Sequence, residues 1–332
     1  MSRASSPLSF DLPLGDVASA LKSGAVAYVP VNPIEYHGPH LSLENDHLVS
    51  VGLAEDLHAS IAKPGEPFVL ARDLNVGVDP TFGPGTVATS YHDVKQAILD
   101  ACAVLLEYGA KRVAFMTFHG SPNHAMALEA GVRYLRERGV RVISPLNELL
   151  RFLLEPDRAT LLPVYACVDD AEERQAMLDD ASSDFHGGFV ETSLAMYYAP
   201  KSVRGIVSTL PPCPPLVPSK GYKVLVSALR KAGFSKLANE LLLVGKAIAW
   251  TELRPFPGYT GRPHRASPEA GALLAELIRK RYVALAHSVL YGTGLSPAPV
   301  LDWMPVATMG GRVAPPPPTL ADVMTFAAAS VP

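Results

Sequence analysis

The chain has 332 residues, 48% of them apolar and 18% charged, with a formal net charge of -3. That is enough chain for one large α/β domain or two smaller ones with a sizeable core. It excludes the clustered basic surface of a nucleic-acid binder. No apolar run reaches the roughly 18 residues that a bilayer span needs. Arg3 is followed by small and polar residues with no apolar signal core, so the expectation is a cytoplasmic protein without a membrane partner. Cys102, Cys167 and Cys213 are isolated, with no CxxC pair and no close Cys/His spacing. Any metal is therefore expected on histidines and carboxylates rather than thiolates.

In chain order, the Val-rich run 24–31 ends at Pro33 and reads as a buried strand, and 47–62 as an amphipathic helix. Residues 68–71 read as a second strand. Asp93 to Tyr108 has a helical apolar stripe of Val94, Ala97, Ile98, Ala101 and Leu105, with Asp93 as expected N-cap and Gly109 as C-cap. The run 113–118 is a further buried strand, followed by a helix over about 125–138 and a strand at 140–144. Another strand is expected near 163–168 and a helix near 191–199. Residues 201–260 interrupt the alternation with a PPCPP stretch, a helical segment at about 221–249 and a Pro/Gly-rich loop. They read as an elaboration packed over a site or between subunits. From about 306 a Pro-rich tail follows, with a short helix expected at 319–329 that docks on a neighbour.

Strands alternating with helices predict an α/β fold with a mostly parallel sheet covered on both faces. Ligands of such sheets bind beyond the carboxyl ends of the strands. Two clusters lie there. The first strand runs into Glu35 and His37, whose side chains point the same way in an extended segment. Asp46 follows within reach of a returning loop, and its two carboxylate oxygens can bridge two metals. The strand at 113–118 runs directly into His119. A third cluster, Asp184, His186 and Glu191, lies in DFHGGFVETS. Imidazole and carboxylate together suit zinc, manganese or iron.

Five segments, in order, resemble the creatininase family: NPIEYHGPHLSLENDHL, FGPGT at 82–86, FHGSPNH, DFHGGFVETS, and GYTGRPHRASPEAG at 258–271. The resemblance spans about residues 24–280. It implies a three-layer α/β/α fold over residues 1–305 and two divalent metals, Zn2+ or else Mn2+ or Fe2+, hydrolysing the C–N bond of a small amide or cyclic amide. It also implies Glu35, His37, Asp46 and His119 as ligands, with Asp46 bridging and Glu191 completing the site. A homo-oligomer, commonly a hexamer, is the implied assembly.

Within that frame His186 is the expected proton donor to the leaving nitrogen, and Gly120 or Ser121 offers backbone N–H groups to the oxyanion. Asp184 reads as structural or as orienting a ligand. His40 reads as a support for the first loop or a substrate contact. His47, His58, His92 and His124 receive no role, His264 could approach a site from a neighbouring subunit, and Trp250 and Trp303 read as packing. Creatininase itself draws a ligand from a Glu just after its second-segment histidine. Here Ser121 and Pro122 stand there, Thr117 and Phe118 replace the usual Asn-Gly, and one extra residue precedes Asn123. The missing glutamate points away from creatinine as substrate, and the other two departures imply a changed loop geometry and an altered pocket. The competing readings are a metallopeptidase acting on a modified peptide and an inactive member retained as a binding or assembly subunit.

Overall fold

The computed structural model describes residues 8–154, 157–296, 299–309 and 312. Its helices are α1 (Leu14–Ser23), α2 (Asn45–Ile61), α3 (Tyr91–Glu107), α4 (Pro122–Arg136), α5 (Leu146–Leu154), α6 (Arg158–Tyr165), α7 (Ala171–Asp179), α8 (Phe189–Tyr198), α9 (Lys220–Lys231), α10 (Ser235–Thr251), α11 (Pro268–Val289) and α12 (Met304–Ala307). The strands β1 (Val26–Pro30), β2 (Val69–Leu70), β3 (Arg112–Met116) and β4 (Arg141–Ile143) form one parallel sheet in the order β2-β1-β3-β4.

Every residue of β1 is buried, as a strand covered on both faces requires. Alternate side chains then serve opposite layers. Tyr28 meets His58 of α2 edge-on at 5.8 Å. Phe115, in register with Val29 rather than with Tyr28, points the other way, to where Ile98 of α3 and Gly131 of α4 close on one another. Helices α8 and α11 pack with α2 on its side of the sheet. The result is the expected three-layer α/β/α fold. The chain leaves β1 for β2 on one side and reaches β3 on the other, so the β1/β3 boundary is the switch point of the sheet.

Three local expectations are corrected. Residues 163–165 end a helix, α6, and no strand forms near 163–168 among the described residues. Leu161, Val164 and Tyr165 are buried at helical spacing, and Asp157 caps the helix by accepting from Ala159 N at 3.1 Å. The β-branched and aromatic content that suggested a strand is overridden by that packing. The segment 221–249 is two helices, α9 and α10, because Gly233 takes a left-handed φ of 86° between them. The N-cap of α3 is Ser90 rather than Asp93: its Oγ accepts from Asp93 N at 3.2 Å and donates to the Asp93 carboxylate at 2.6 Å. Gly109 does follow the helix, one residue past its Tyr108 cap, with a φ of 77°.

The main core runs from Leu8 to Leu290, and a small second cluster of Leu216, Trp250 and Phe256 lies within 201–260. The segment 319–329 and nearly all of the Pro-rich tail lie outside the described residues. Among the described residues no helix is long and apolar enough to cross a membrane.

Candidate metal centre

The loops after β1 and β3 meet the first turns of α2 and α8 at the switch point. Glu35 and His37 follow β1, His119 follows β3, Asp46 lies in the first turn of α2, and Glu191 in the first turn of α8. All five are buried. Their donor atoms fall into two groups that share Asp46. On one side, His37 Nε2 lies 3.1 Å from Asp46 Oδ1 and 3.6 Å from Glu191 Oε2. On the other, His119 Nδ1 lies 2.8 Å from Glu35 Oε2 and 3.7 Å from Asp46 Oδ2. His37, Asp46 and Glu191 thus form one possible three-donor metal group, and Glu35, Asp46 and His119 form another. Glu35, His37 and His186 make a third, with His186 Nδ1 at 3.9 Å from Glu35 Oε1 and its ring stacked on His37 at 4.3 Å.

Each of these histidines turns its outer nitrogen to a backbone carbonyl. His37 Nδ1 donates to Glu35 O at 3.0 Å, His119 Nε2 to Val78 O at 2.7 Å, and His186 Nε2 to Tyr36 O at 2.9 Å. In the neutral ring this places the lone pair inward. His119 Nδ1 and Glu35 Oε2 are then two acceptors facing each other at 2.8 Å, an arrangement that needs a cation between them, either a proton or a metal. Glu35 Oε2 and Asp46 Oδ2 are buried and accept no hydrogen bond, which in a dry interior costs a few kcal/mol unless something positive meets them. The donor set fits a divalent ion of the zinc, manganese or iron class.

Charge is concentrated here. Burial disfavours the cation of His37, yet Asp46, Glu191 and Glu35 lift its pKa to about 10. Against the same burial, Glu35 and Asp46 lift His119 to about 9. Burial raises Glu191 to about 8, with His37 opposing, and raises Asp46 as well. Glu35 resists burial because His119, His186 and His37 hold its carboxyl well below the usual range. Burial and the nearby His37 push His186 down to about 3.

The other expected residues lie outside the donor groups, and some of them brace the loops that carry them. His40 Nε2 lies 2.9 Å from Thr192 Oγ1 and ties the first loop to α8. Asp184 accepts from Val190 N at the start of α8, and burial raises its carboxyl to about 7. Gly188 is required beside it, because an added Cβ would stand 1.8 Å from Asp184 Oδ1. Gly120 is exposed. Ser121 caps α4, accepting from His124 N, and donates to Asp79 Oδ2 at 3.2 Å. His264 pairs with Glu173 of its own chain at 3.1 Å and does not join the donor groups. Trp250 is packing, as expected, with its Nε1 on Tyr259 O. Its ring also lies 5.1 Å from His186, so the second apolar cluster walls this side of the centre.

The remaining family-like segments act as clamps. Thr86 Oγ1 accepts from Tyr36 N at 3.0 Å and donates to Thr81 O, which fixes the Glu35–His37 loop. Thr260 Oγ1 accepts from His186 N at 3.0 Å, and Thr260 N donates to His186 O at 2.7 Å. The sequence reading missed Asn32, Asp73, Val78 and Thr81. Val78 O holds His119 and Thr81 N donates to Glu35 Oε1. Main-chain contacts of this kind leave no residue-type signal.

The sequence profile described as Creatininase: Creatinine amidohydrolase matches residues 11–286. No curated protein matches the chain. Among solved structures, a creatininase in a manganese form is 18% identical with a TM-score of 0.56, covering 84% of this chain and 96% of that one. A creatininase mutant of Zn-Zn type gives the same four values. A creatinine amidohydrolase is 19% identical with a TM-score of 0.54, covering 84% and 95%. At such identities the structures speak for the fold alone. With its profile match covering most of the sequence, the chain belongs to the creatininase family.

Proposed function

We propose that this hydrolase cleaves the C–N bond of a small amide or cyclic amide other than creatinine, using two divalent ions held at the β1/β3 switch point. The observation that carries this reading is Asp46, whose two oxygens face two different donor groups. Glu35, Asp46 and His119 would hold one ion, and His37, Asp46 and Glu191 the other. Bound there, such ions supply Lewis acidity toward a carbonyl and lower the pKa of water.

The chain's own residues do the rest. Glu35, His37 and His119 are locked by Thr81, by main-chain carbonyls and by the Thr86 clamp, so little reorganisation accompanies reaction. His186 moves the proton. Its Nε2–H is committed to Tyr36 O, so Nδ1 is the acceptor that faces the centre. It takes a proton from water first and then returns it to the leaving nitrogen. Trp250, Phe185 and Phe256 exclude solvent behind it. This enclosure supports a small amide over an extended peptide.

We further propose a homo-oligomer. In its support, the elaboration leaves Val217, Val224, Leu225 and Phe234 exposed, and light scattering on the purified chain measures the assembly directly. The function is tested by elemental analysis of the purified protein and turnover of an amide panel before and after chelation. Absence of a stoichiometric divalent metal ends the hydrolytic reading.

A further inference from the structure

Asn32 and Asp73 form a hydrogen-bonded hub outside the donor groups. Asp73 Oδ1 accepts from Asn32 N at 3.0 Å and from Asn75 N at 2.9 Å. Its Oδ2 lies 2.6 Å from Asn32 Nδ2, which donates to it, and 3.0 Å from His47 Nδ1. Asn32 Nδ2 also donates to Ser50 Oγ at 3.0 Å, and Asn32 Oδ1 accepts from Phe118 N at 3.1 Å. The Asn32 side chain has thus spent both donors and an acceptor, and Asp73 both oxygens.

The partners are not scattered. Asn32 lies three residues before Glu35. His47 and Ser50 follow Asp46 on α2. Phe118 immediately precedes His119. Asn75 opens the loop whose Val78 O and Thr81 N hold His119 and Glu35. Every segment that carries a donor of the Glu35/Asp46/His119 group is fastened to one buried amide–carboxylate pair. Among the described residues, the hydrogen bonds of Glu191 and of the His37 ring go elsewhere. Glu191 Oε2 accepts from Gly187 N, and His37 Nδ1 donates to Glu35 O.

We infer that Asn32 and Asp73 are positioning residues that set the spacing of the Glu35/Asp46/His119 half of the centre far more than that of the His37/Asp46/Glu191 half, which the hub reaches through Asp46 alone. The inference rests on the two-ion reading. Groups that orient metal ligands typically change metal affinity by about 10- to 100-fold when removed, and here the change falls chiefly on the half with all three donor segments tied to the hub.

The test is a Mn2+ titration of the full-length, chelator-stripped chain, read by the electron paramagnetic resonance of free Mn2+. Asp73→Asn is placed in two backgrounds, Glu191→Ala, which leaves the Glu35 half, and His119→Ala, which leaves the Glu191 half. The expected result is a loss of about tenfold or more in the first background and less than about twofold in the second. His47→Gln, at the solvent edge of the hub, gives a milder loss of the same asymmetry and serves if Asp73→Asn does not fold. A remote core truncation, Ile98→Val, lowers the unfolding midpoint without moving either isotherm, which separates positioning from general destabilisation. Equal weakening in both backgrounds, or none in the first, overturns the inference while the two-ion reading stands. A wild-type chain that takes up no second Mn2+ removes that reading and the inference together.

Discussion

Metal uptake by this chain is expected to be a proton-releasing reaction with a steep pH dependence. The perturbation is pH itself. In the metal-free chain His37 titrates at about 10 and His119 at about 9, so near neutrality each ring holds a proton on the nitrogen that faces the carboxylates. A ligand nitrogen must be bare, and filling both groups therefore expels two protons. Glu191, at about 8, adds most of a third. Two to three protons make the product of the two binding constants rise roughly 100- to 1000-fold per pH unit near neutrality, about 2.7–4.1 kcal/mol, with the slope fading as pH passes about 8, 9 and 10 in turn. Calorimetry near pH 7 in buffers of different ionisation heat counts the protons directly, as the slope of observed heat against buffer heat. Release of fewer than about one proton on filling both groups, or an affinity flat with pH, refutes the reasoning that a cation already occupies the space between these donors.

Stoichiometry gives a second check. Asp46→Ala removes a donor from both groups and leaves a dialysed protein with essentially no bound metal, whereas Glu191→Gln spares the Glu35 side and retains about one ion, measured by elemental analysis. Stability supplies a third, with the sign fixed by linkage. His37 and His119 are raised in the fold, so their contribution is complete below the unfolded value of about 6.5 and is lost as pH rises through about 9 to 10. His186 and His124 are lowered to about 3, so theirs is present above about 6.5 and lost as pH falls toward 3. Glu191 and Asp184, raised to about 8 and about 7, also lose stability as pH rises from their unfolded values of 4.5 and 3.8 through those values. The Tm of the chelator-treated chain therefore falls from about pH 6.5 to 10, and a Tm that climbs over that range contradicts the assignment. Fourth, Gly83→Ala places a Cβ 2.1 Å from the Tyr36 ring. It costs about 1–3 kcal/mol in urea unfolding and weakens metal binding, because Tyr36 lies between Glu35 and His37.

The alternation of strands and helices was legible because a strand buried on both faces must be apolar throughout, and β1 and β3 are. The donors were legible for a related reason. Carboxylates and imidazoles right after an apolar strand have no packing purpose, so Glu35, His37 and His119 stood out, whereas Glu191 joined the set through the family resemblance; the structure brings all five side chains together. What the sequence hid was whatever is carried by the main chain or by common residue types. Val78 O and Thr81 N could belong to any residue. Asn32 and Asp73 become a hub only when β1, β2 and α2 are assembled around them. The strand expected near 163–168 failed for the converse reason: local propensity was visible, whereas the capping Asp157 and the buried i, i+3, i+4 face of α6 take their meaning from the assembled core.

The change at Ser121 and Pro122 bears on the substrate more than on the metals. His37, Asp46 and Glu191 form a three-donor group without any residue from that segment, so the glutamate that creatininase carries there is not needed to complete the set. In its place the fold puts a helix cap: Pro122 opens α4 and the Ser121 hydroxyl accepts from His124 N. A carboxylate still reaches this spot from another direction. Asp79, held in a left-handed φ of 55°, presents Oδ2 to Ser121 Oγ and to Asn123 Nδ2 at 2.7 Å. Unlike the five buried donors, Asp79 belongs to an exposed residue. Asp79 thus brings a carboxyl group near His119 from the loop before α3, with burial raising its pKa. On the two-ion reading proposed above, a substrate entering there would meet Asp79 beside Ser121 and Asn123, and the expected consequence is altered specificity with metal binding retained, rather than lost catalysis. An amide panel that varies the charge next to the scissile bond, compared between wild type and Asp79→Asn, separates the two. A specificity change with metal content intact supports the argument, and identical profiles defeat it.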